Sequence, residues 1–507
     1  MLKIWFNLSS SVLKYPGGEP GTGEGAGPLL CLIKSIANMR KTKGRPLQPN
    51  HIGDVSFWYA DMGLPKTRRP SLTENTSADV AIIGAGFTGL WTAYYLKKAN
   101  PALNVLVIEK EFAGFGASGR NGGWCMGTFA WNHEAYAKAT SRKAVLEMVR
   151  ELETTVPEIT RVCAEEGIDA DIIASEELML ATNPAQLARM HDAIAHHKLW
   201  GNAHRVRELS PAEVKQRITA PNVLGAMVVS GMARIQPAKL VRGLAEACER
   251  MGVRIAEATE VLSYDQGEII TPKAVVKAPI ILRCTEGFTA SLPGHKREWL
   301  PLNSAQIATV PLPPEVWDKI GWDGHELIGD MNNAYCYCQR TREGRITVGA
   351  RGVPYKYASQ MDKNGEPDTE TIRRLTEVLH THFPEAAAYP IDHAWCGVIA
   401  VPRDWCATVG LDRKTGLGWA GGYVGTGVST ANLAGRTLAD LALSRDTKIT
   451  KFPWVNRRVR HWEPEPFRWF GVHLMYKLLR IADQREAKLG IPPSKFAVFG
   501  NWLTGRH

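Results

Sequence analysis

The chain has no apolar run approaching the roughly 18 residues that cross a bilayer, and its 507 residues hold no internal repeat. It therefore reads as neither a helical membrane protein nor a solenoid, and a soluble globular protein is expected. Paired cysteine spacings are missing as well. The nine cysteines, at positions 31, 125, 163, 248, 284, 336, 338, 396 and 406, include no CxxC, which argues against zinc ribbons and disulfide scaffolds and fits a reducing cytoplasm. Cys336-Tyr337-Cys338 is read as two like-facing strand positions rather than a redox pair. His191, His196 and His197 lack the i,i+4 spacing of a helical zinc site, so no metal is expected. Charge of one sign is not concentrated either. Lys and Arg number 61 against 51 acids, for a net charge of +10; the two signs are interspersed, so a solvated basic surface is expected and nucleic acid is not an expected partner.

What is present is a large amount of core-forming sequence. A chain of 507 residues with 44% apolar content exceeds the size at which a single core keeps growing, and two associated domains are expected. The first 15 residues, interrupted by Asn7 and the Ser9-Ser10-Ser11 run, make a poor secretory signal. Residues 1–50, rich in glycine and then in Lys and Arg, read as a flexible leader. Residues 78–83 form a short apolar run of the kind buried on both faces of a parallel sheet. A helix is expected over 87–98, stopped by Asn100-Pro101, and a second buried strand over 105–108 completes a β-α-β unit. Helical spacing recurs over 144–163, 184–200 and 237–251, with a short strand at 178–180. Short β runs at 305–310, 334–339 and 346–348 point to an antiparallel sheet in a second domain. Residues 467–485 are amphipathic, with Trp469, Phe470, Leu474, Met475, Leu478 and Leu479 on the apolar side, and are expected to pack on the body of the protein.

The most informative motif is Gly84-Ala85-Gly86-Phe87-Thr88-Gly89, which follows the first strand and opens the first helix. Gly84 permits a tight turn, Gly86 lets the backbone approach a pyrophosphate, and Gly89 allows close helix–strand packing. The helix N-terminus presents free N–H groups to phosphate. Glu109 ends the second strand, where a carboxylate accepts ribose hydroxyls and repels a 2′-phosphate, which argues for a dinucleotide other than NADP. A long glycine-rich loop follows, Gly114-Phe115-Gly116-Ala117-Ser118-Gly119-Arg120-Asn121-Gly122-Gly123-Trp124, suited to lie along an extended dinucleotide.

Residues 116–123 resemble the FAD loop of the D-amino-acid oxidase superfamily, especially its glycine oxidase and gamma-glutamylputrescine oxidase branch, and the resemblance extends over roughly 78–445. It implies an α/β (α+β overall) fold: a Rossmann-like FAD-binding domain with an inserted antiparallel-sheet substrate domain. On that reading 51–150, 225–300 and 395–445 build the FAD-binding domain, 151–224 and 301–394 the substrate domain, and 446–507 a helical tail. It implies noncovalent FAD, held by Gly84, Gly86, Phe87, Thr88, Gly89, Glu109, Lys110, Ala117, Ser118, Arg120, Asn121, Gly122 and Gly123. Val261 matches a backbone contact on the adenine side, and Thr285 and Gly287 a strand-ending turn near the pyrophosphate. Gly422, Gly425, Thr426, Gly427 and Val428 match the last FAD segment, beside the pyrimidine edge of the flavin. There the positive end of a helix favours the charge that develops when the ring accepts hydride. Relatives often carry His where this chain has Thr426.

The activity implied is oxidation of a small amine or amino acid by hydride transfer to flavin N5, followed by imine hydrolysis. The electron acceptor is O2, giving hydrogen peroxide, or alternatively a quinone or carrier protein; a flavin-dependent nucleic-acid-modifying protein is the more distant reading. Tyr335, Tyr337 and Trp395 are candidate pocket walls, Arg351 and Arg340 candidate carboxylate clamps, and His393 a candidate titrating group.

Overall fold

The computed structural model describes residues 48–128, 132–350, 355–361 and 364–494. Residues 1–47, almost all of the segment read as a leader, lie outside the described residues, and so does Arg351.

Strand Val80–Ile83 is buried at every position. Val80 and Ile82 enter one core while Ala81 and Ile83 enter another, the consequence of period-two side chains on a strand covered on both faces. Val105–Ile108 lies parallel to it, with Ile82 opposite Val107, and Ile280–Arg283 flanks the other side, with Leu282 opposite Ile82. The six-stranded sheet runs Thr408–Asp412, Leu417–Gly421, Ile280–Arg283, Val80–Ile83, Val105–Ile108, Arg254–Ala256, and only its first pair is antiparallel. Helix Phe87–Ala99 ends at Asn100, whose extended backbone (φ −146°, ψ 92°) is the conformation forced on a residue before proline. Helix Gly427–Ala442 crosses it so closely that a Cβ on Gly435 would stand 2.6 Å from Trp91 Cβ. A small sheet of Ser263–Asp265, Glu268–Ile270, Val275–Lys277 and Thr76–Ser77 lies in the same part of the chain order.

The second large element is a mixed ten-stranded sheet centred on Leu300–Thr309, which pairs antiparallel with Ile346–Ala350 and with Ile391–Val401. Cys336–Arg340, Leu327–Asp330, Ile173–Ala181, Gly225–Arg234 and Trp124–Met126 continue it outward. Its own core includes Leu178, Ile307, Ile328, Cys336, Cys338 and Ile346, so Cys336 and Cys338 do face the same side. The chain is thus a mixed α/β protein with a parallel nucleotide-binding-type sheet and a largely antiparallel second sheet.

Several expected elements change extent. The helix expected over 144–163 is two helices, Arg142–Glu153 and Thr155–Glu166, because Pro157 has no N–H to continue the ladder across the junction. The strand at 178–180 is nine residues long, Ile173–Ala181. Gly225–Arg234 is buried at eight of its ten positions, so it carries no alternation by which a strand is recognised. The tail helix extends over Phe467–Leu489, and the expected packing face needs correction. Val472, Met475, Leu479 and Ala482 are buried, but Phe470 and Leu474 are 61% and 50% exposed. The docked face is chosen by partners distant in sequence: Arg189 pairs with Glu486 at 2.8 Å, and Asp483 accepts the Asn333 amide at 2.9 Å.

Candidate functional site

Gly84 turns the chain out of its strand with φ of 104°. A Cβ there would lie 2.7 Å from the Cys284 carbonyl oxygen, so no side chain fits the turn. The chain enters helix Phe87–Ala99 at once. The Phe87 amide donates to Ser118 Oγ at 2.8 Å, which ties the glycine-rich loop to the helix start. The first-turn amides of Thr88 and Gly89 have no acceptor among the described residues. Unsatisfied amides at the positive end of a helix are a ready anion site.

The second helix start is built the same way. Helix Gly427–Ala442 has Thr426 as its N-cap, and the Thr426 hydroxyl donates to the Tyr423 carbonyl at 3.2 Å. The Tyr423 hydroxyl then meets Thr88 Oγ1 at 2.9 Å. One buried hydrogen bond therefore joins the two helix N-termini and sets their spacing.

Both open onto one cavity of about 930 Å³. Of the residues expected at the cofactor, Gly84, Gly86, Phe87, Thr88, Glu109, Lys110, Ala117, Ser118, Asn121, Val261, Thr285, Gly425, Gly427 and Val428 line it. Glu109 Oε2 accepts the Ala85 amide at 2.9 Å and Oε1 the Glu111 amide at 3.0 Å. Each oxygen keeps a second lone pair for an incoming hydroxyl. Burial pushes the Glu109 carboxyl above its ordinary pKa, and those two amides oppose the shift. Lys110 is an ion-pair partner of Glu260.

Gly89, Arg120, Gly122, Gly123, Gly287, Gly422 and Thr426 do not line the cavity; they shape it from behind. A Cβ on Gly89 would come within 2.0 Å of the Gly84 carbonyl oxygen. Arg120 is 1% exposed; its Nε donates to the Phe115 carbonyl at 2.7 Å and Nη1 to the Cys396 carbonyl at 3.2 Å. Gly122 and Gly123 present their carbonyls to the Gln339 amide, each at 3.1 Å. A Cβ on Gly287 would meet Val398 at 2.7 Å. Behind the loop, Ser56 Oγ donates to the Gly119 carbonyl at 2.7 Å and Trp58 Nε1 to the Asn121 carbonyl at 2.7 Å. These come from helix Phe57–Met62 and its N-cap, a segment the sequence reading passed over.

Tyr335, Tyr337 and Trp395 are not brought to this cavity. Trp395 is fully buried against Phe57 and Trp58, and its Nε1 donates to the Arg120 carbonyl at 2.9 Å. Tyr337 lies edge-on to Trp124, with its hydroxyl 2.9 Å from Ser304 Oγ. Arg340 donates to Asp323 at 2.9 Å. His393 bonds the Gly53 carbonyl at 2.9 Å, and burial lowers its pKa. In their place the cavity is walled by Phe115, Phe288, Val398, Ile399 and Met361, with Lys296 and Lys356 among its lining residues. Residues 356–361 follow a segment with no periodic pattern, which is why spacing alone did not find them.

Glu286 also lines the cavity, within the turn whose Thr285 and Gly287 were expected at the cofactor. It adopts φ of 43°, and its carboxylate accepts the Ala400 amide at 3.1 Å and the Gly422 amide at 2.8 Å. It thereby holds a strand of the large sheet to the turn that leads into the second helix. Burial raises its pKa from 4.5 to about 7, against the pull of those amides. Between those two values the folded chain keeps a proton that the unfolded chain has released. This contribution is present in full below 4.5 and is lost as pH rises through about 7. Glu286→Gln is expected to flatten the fall in stability by up to roughly 3 kcal/mol across that interval. Urea midpoints of wild type and variant at about pH 5 and about pH 8 check this; a wild-type-minus-variant difference that does not change with pH contradicts it.

The arrangement fits FAD: a partnerless Thr88 amide at the helix start for the pyrophosphate, a backbone-anchored carboxylate for ribose hydroxyls, and a second helix start tied to the first. No other cofactor need be invoked for these groups. Comparison with known proteins agrees. Residues 79–441 match the family model described as FAD dependent oxidoreductase. The chain is 28% identical over 411 residues to the probable oxidoreductase OrdL of Haemophilus influenzae, covering 78% of this chain and 90% of that protein. It is 26% identical to the gamma-glutamylputrescine oxidoreductase of Escherichia coli, covering 76% and 88%. The crystal structure of glycine oxidase from Geobacillus kaustophilus superposes with a TM-score of 0.63 at 19% identity, over 75% of this chain and 99% of that one. The chain belongs to the DAO family of FAD dependent oxidoreductases.

Proposed function

We propose that this enzyme oxidises the carbon–nitrogen bond of a small amine or amino acid and passes the electrons to O2. The observation that carries the reading is the Thr88–Tyr423 hydrogen bond, 2.9 Å long, which aims two helix N-termini into one cavity that Glu109 also lines. When bound, the flavin supplies a two-electron acceptor at N5.

The protein's own part is to bind, orient and shield. On this reading the turn from Gly84 to Thr88 receives the pyrophosphate, Glu109 the ribose hydroxyls, and Ala117, Ser118 and Asn121 the extended chain of the cofactor. Val261 and Thr285 would line the adenine and pyrophosphate parts of the path, and the amides at Gly425, Gly427 and Val428 would hold the pyrimidine edge. The apolar walls at Phe115, Phe288, Val398 and Ile399 exclude water, which strengthens every charge interaction inside. Lys296 and Lys356 bring positive charge to the cavity lining, which favours a substrate bearing a carboxylate. The substrate loses hydride from carbon and a proton from nitrogen to become an imine. Water then adds to the imine, releasing amine and a carbonyl compound, and O2 takes up the two electrons and two protons as hydrogen peroxide.

The test is anaerobic bleaching of the FAD-loaded protein by polyamines and their acyl derivatives, N-methyl amino acids and simple amino acids. At least one class is expected to bleach it, with one peroxide formed per substrate oxidised in air. Failure of every class refutes the amine reading; bleaching without peroxide refutes only the choice of O2 and favours a carrier or quinone.

A further inference from the structure

Away from the cavity, three buried side chains with metal-binding donors meet at the end of the large sheet. Asp330 closes strand Leu327–Asp330, Cys336 opens its antiparallel neighbour Cys336–Arg340, and His382 ends helix Thr369–His382. None of the three lines the cavity, and none has a part in the proposed reaction. One donor atom from each lies within 4.8 Å of the other two, and among the described residues no other group of three does so.

His382 Nε2 hydrogen-bonds both partners, at separations close to those a shared tetrahedral metal would set. His382 Nε2 stands 3.1 Å from Asp330 Oδ2 and 3.5 Å from Cys336 Sγ. Bonds of about 2.0–2.1 Å from tetrahedral zinc to nitrogen and oxygen, and of about 2.3 Å to sulfur, place the donors about 3.3 Å apart for N···O and about 3.5 Å apart for N···S. The carboxylate is also held in place by its neighbours. Asp330 Oδ1 accepts the Cys336 amide at 3.1 Å and the Asn332 amide at 3.2 Å, and Asn332 Nδ2 donates to Oδ2 at 2.7 Å. Such outer contacts orient metal ligands. Cys338, two residues along, faces the same core as Cys336 but stands outside this group of three donors.

We propose that Asp330, Cys336 and His382 form a buried structural site for zinc, which pins helix Thr369–His382 to the large sheet. One thiolate and one carboxylate neutralise the dication, so the assembly enters the core without net charge, with neutral imidazole as third ligand. Zn–S, Zn–N and Zn–O bonds replace bonds from the aqueous ion to water and the contacts of His382 Nε2 with Asp330 and Cys336; the thiol releases its proton to solvent, and the imidazole stays neutral, protonated on its other ring nitrogen. Thiolate and imidazole together select zinc over the hard cations magnesium and calcium.

The test uses the FAD-loaded full chain, produced in zinc-containing medium and purified without chelator. Elemental analysis is expected to find about one zinc per chain, and X-ray absorption at the zinc edge a first shell with sulfur at about 2.3 Å and lighter donors at about 2.0–2.1 Å. Cys336→Ser and His382→Gln are each expected to lower zinc content at least about tenfold. Wild-type protein that stays far below stoichiometric zinc after refolding with the ion in excess overturns the proposal, as does a first shell of nitrogen and oxygen alone. Should both variants fail to accumulate, the wild-type absorption spectrum still decides.

Discussion

Gly89→Ala is expected to yield a chain that is less stable by at least about 3 kcal/mol and does not retain FAD. The added Cβ would stand 2.0 Å from the Gly84 carbonyl oxygen and 3.2 Å from Ile82 Cγ2. The first neighbour is backbone in the turn that leads into the helix, so relief requires the helix to move off the sheet. Overpacking of this kind costs roughly 1–3 kcal/mol even where side chains can yield, and here they cannot. Alanine's better helix propensity returns only about 1 kcal/mol. Gly471→Ala is the control: Gly471 is in helix Phe467–Leu489 and a Cβ there meets nothing within 4 Å, so that variant should gain roughly 0.5–1 kcal/mol. Urea unfolding and flavin content after gel filtration measure both. Equal behaviour of the two variants would mean that the turn does not depend on the close approach.

Arg120→Leu is expected to cost about 3–5 kcal/mol and to loosen the flavin. The guanidinium lies over the Phe115 ring, 4.3 Å from its centre, and donates to the carbonyls of Phe115 and Cys396. Leucine fills part of the volume but leaves two carbonyls without these donors, each worth about 1–3 kcal/mol when buried. The Arg120 carbonyl is itself held by Gln306 Nε2 at 2.7 Å and Trp395 Nε1 at 2.9 Å. The residue thus stitches the glycine-rich loop to two strands of the large sheet. Lysine should rescue little, because a single ammonium cannot reproduce the fork that reaches both carbonyls. Unfolding midpoints and the rate of flavin loss on dilution check this; a Leu variant that keeps wild-type values of both would remove Arg120 from the loop's support.

Trp395 and Tyr337 show why some candidate residues were misplaced by pattern alone. An aromatic residue on a strand has two faces open to it, and spacing does not say which one meets a cavity. Trp395 turns toward helix Phe57–Met62, whose aromatic cluster could be joined to it only through more than 300 residues of intervening chain. Glu286 is the opposite case, a lining residue hidden in a turn that looked like backbone alone. Its role exists only because Ala400 and Gly422, each more than 100 residues away, bring their amides to it.

The amino-acid sequence by itself determined the β-α-β unit, the glycine turn at Gly84 to Gly89 and the acid at Glu109. Each is a local matter of sterics, where a missing Cβ, an apolar tetrad or a proline restricts the backbone within a few residues. Only the tertiary structure decided that Tyr423 reaches Thr88, that Arg120 supports the loop instead of lining the cavity, and which face of the tail helix is covered. Those outcomes depend on side chains that meet across hundreds of residues, and a hydrogen bond between such partners has no period in the sequence from which to read it.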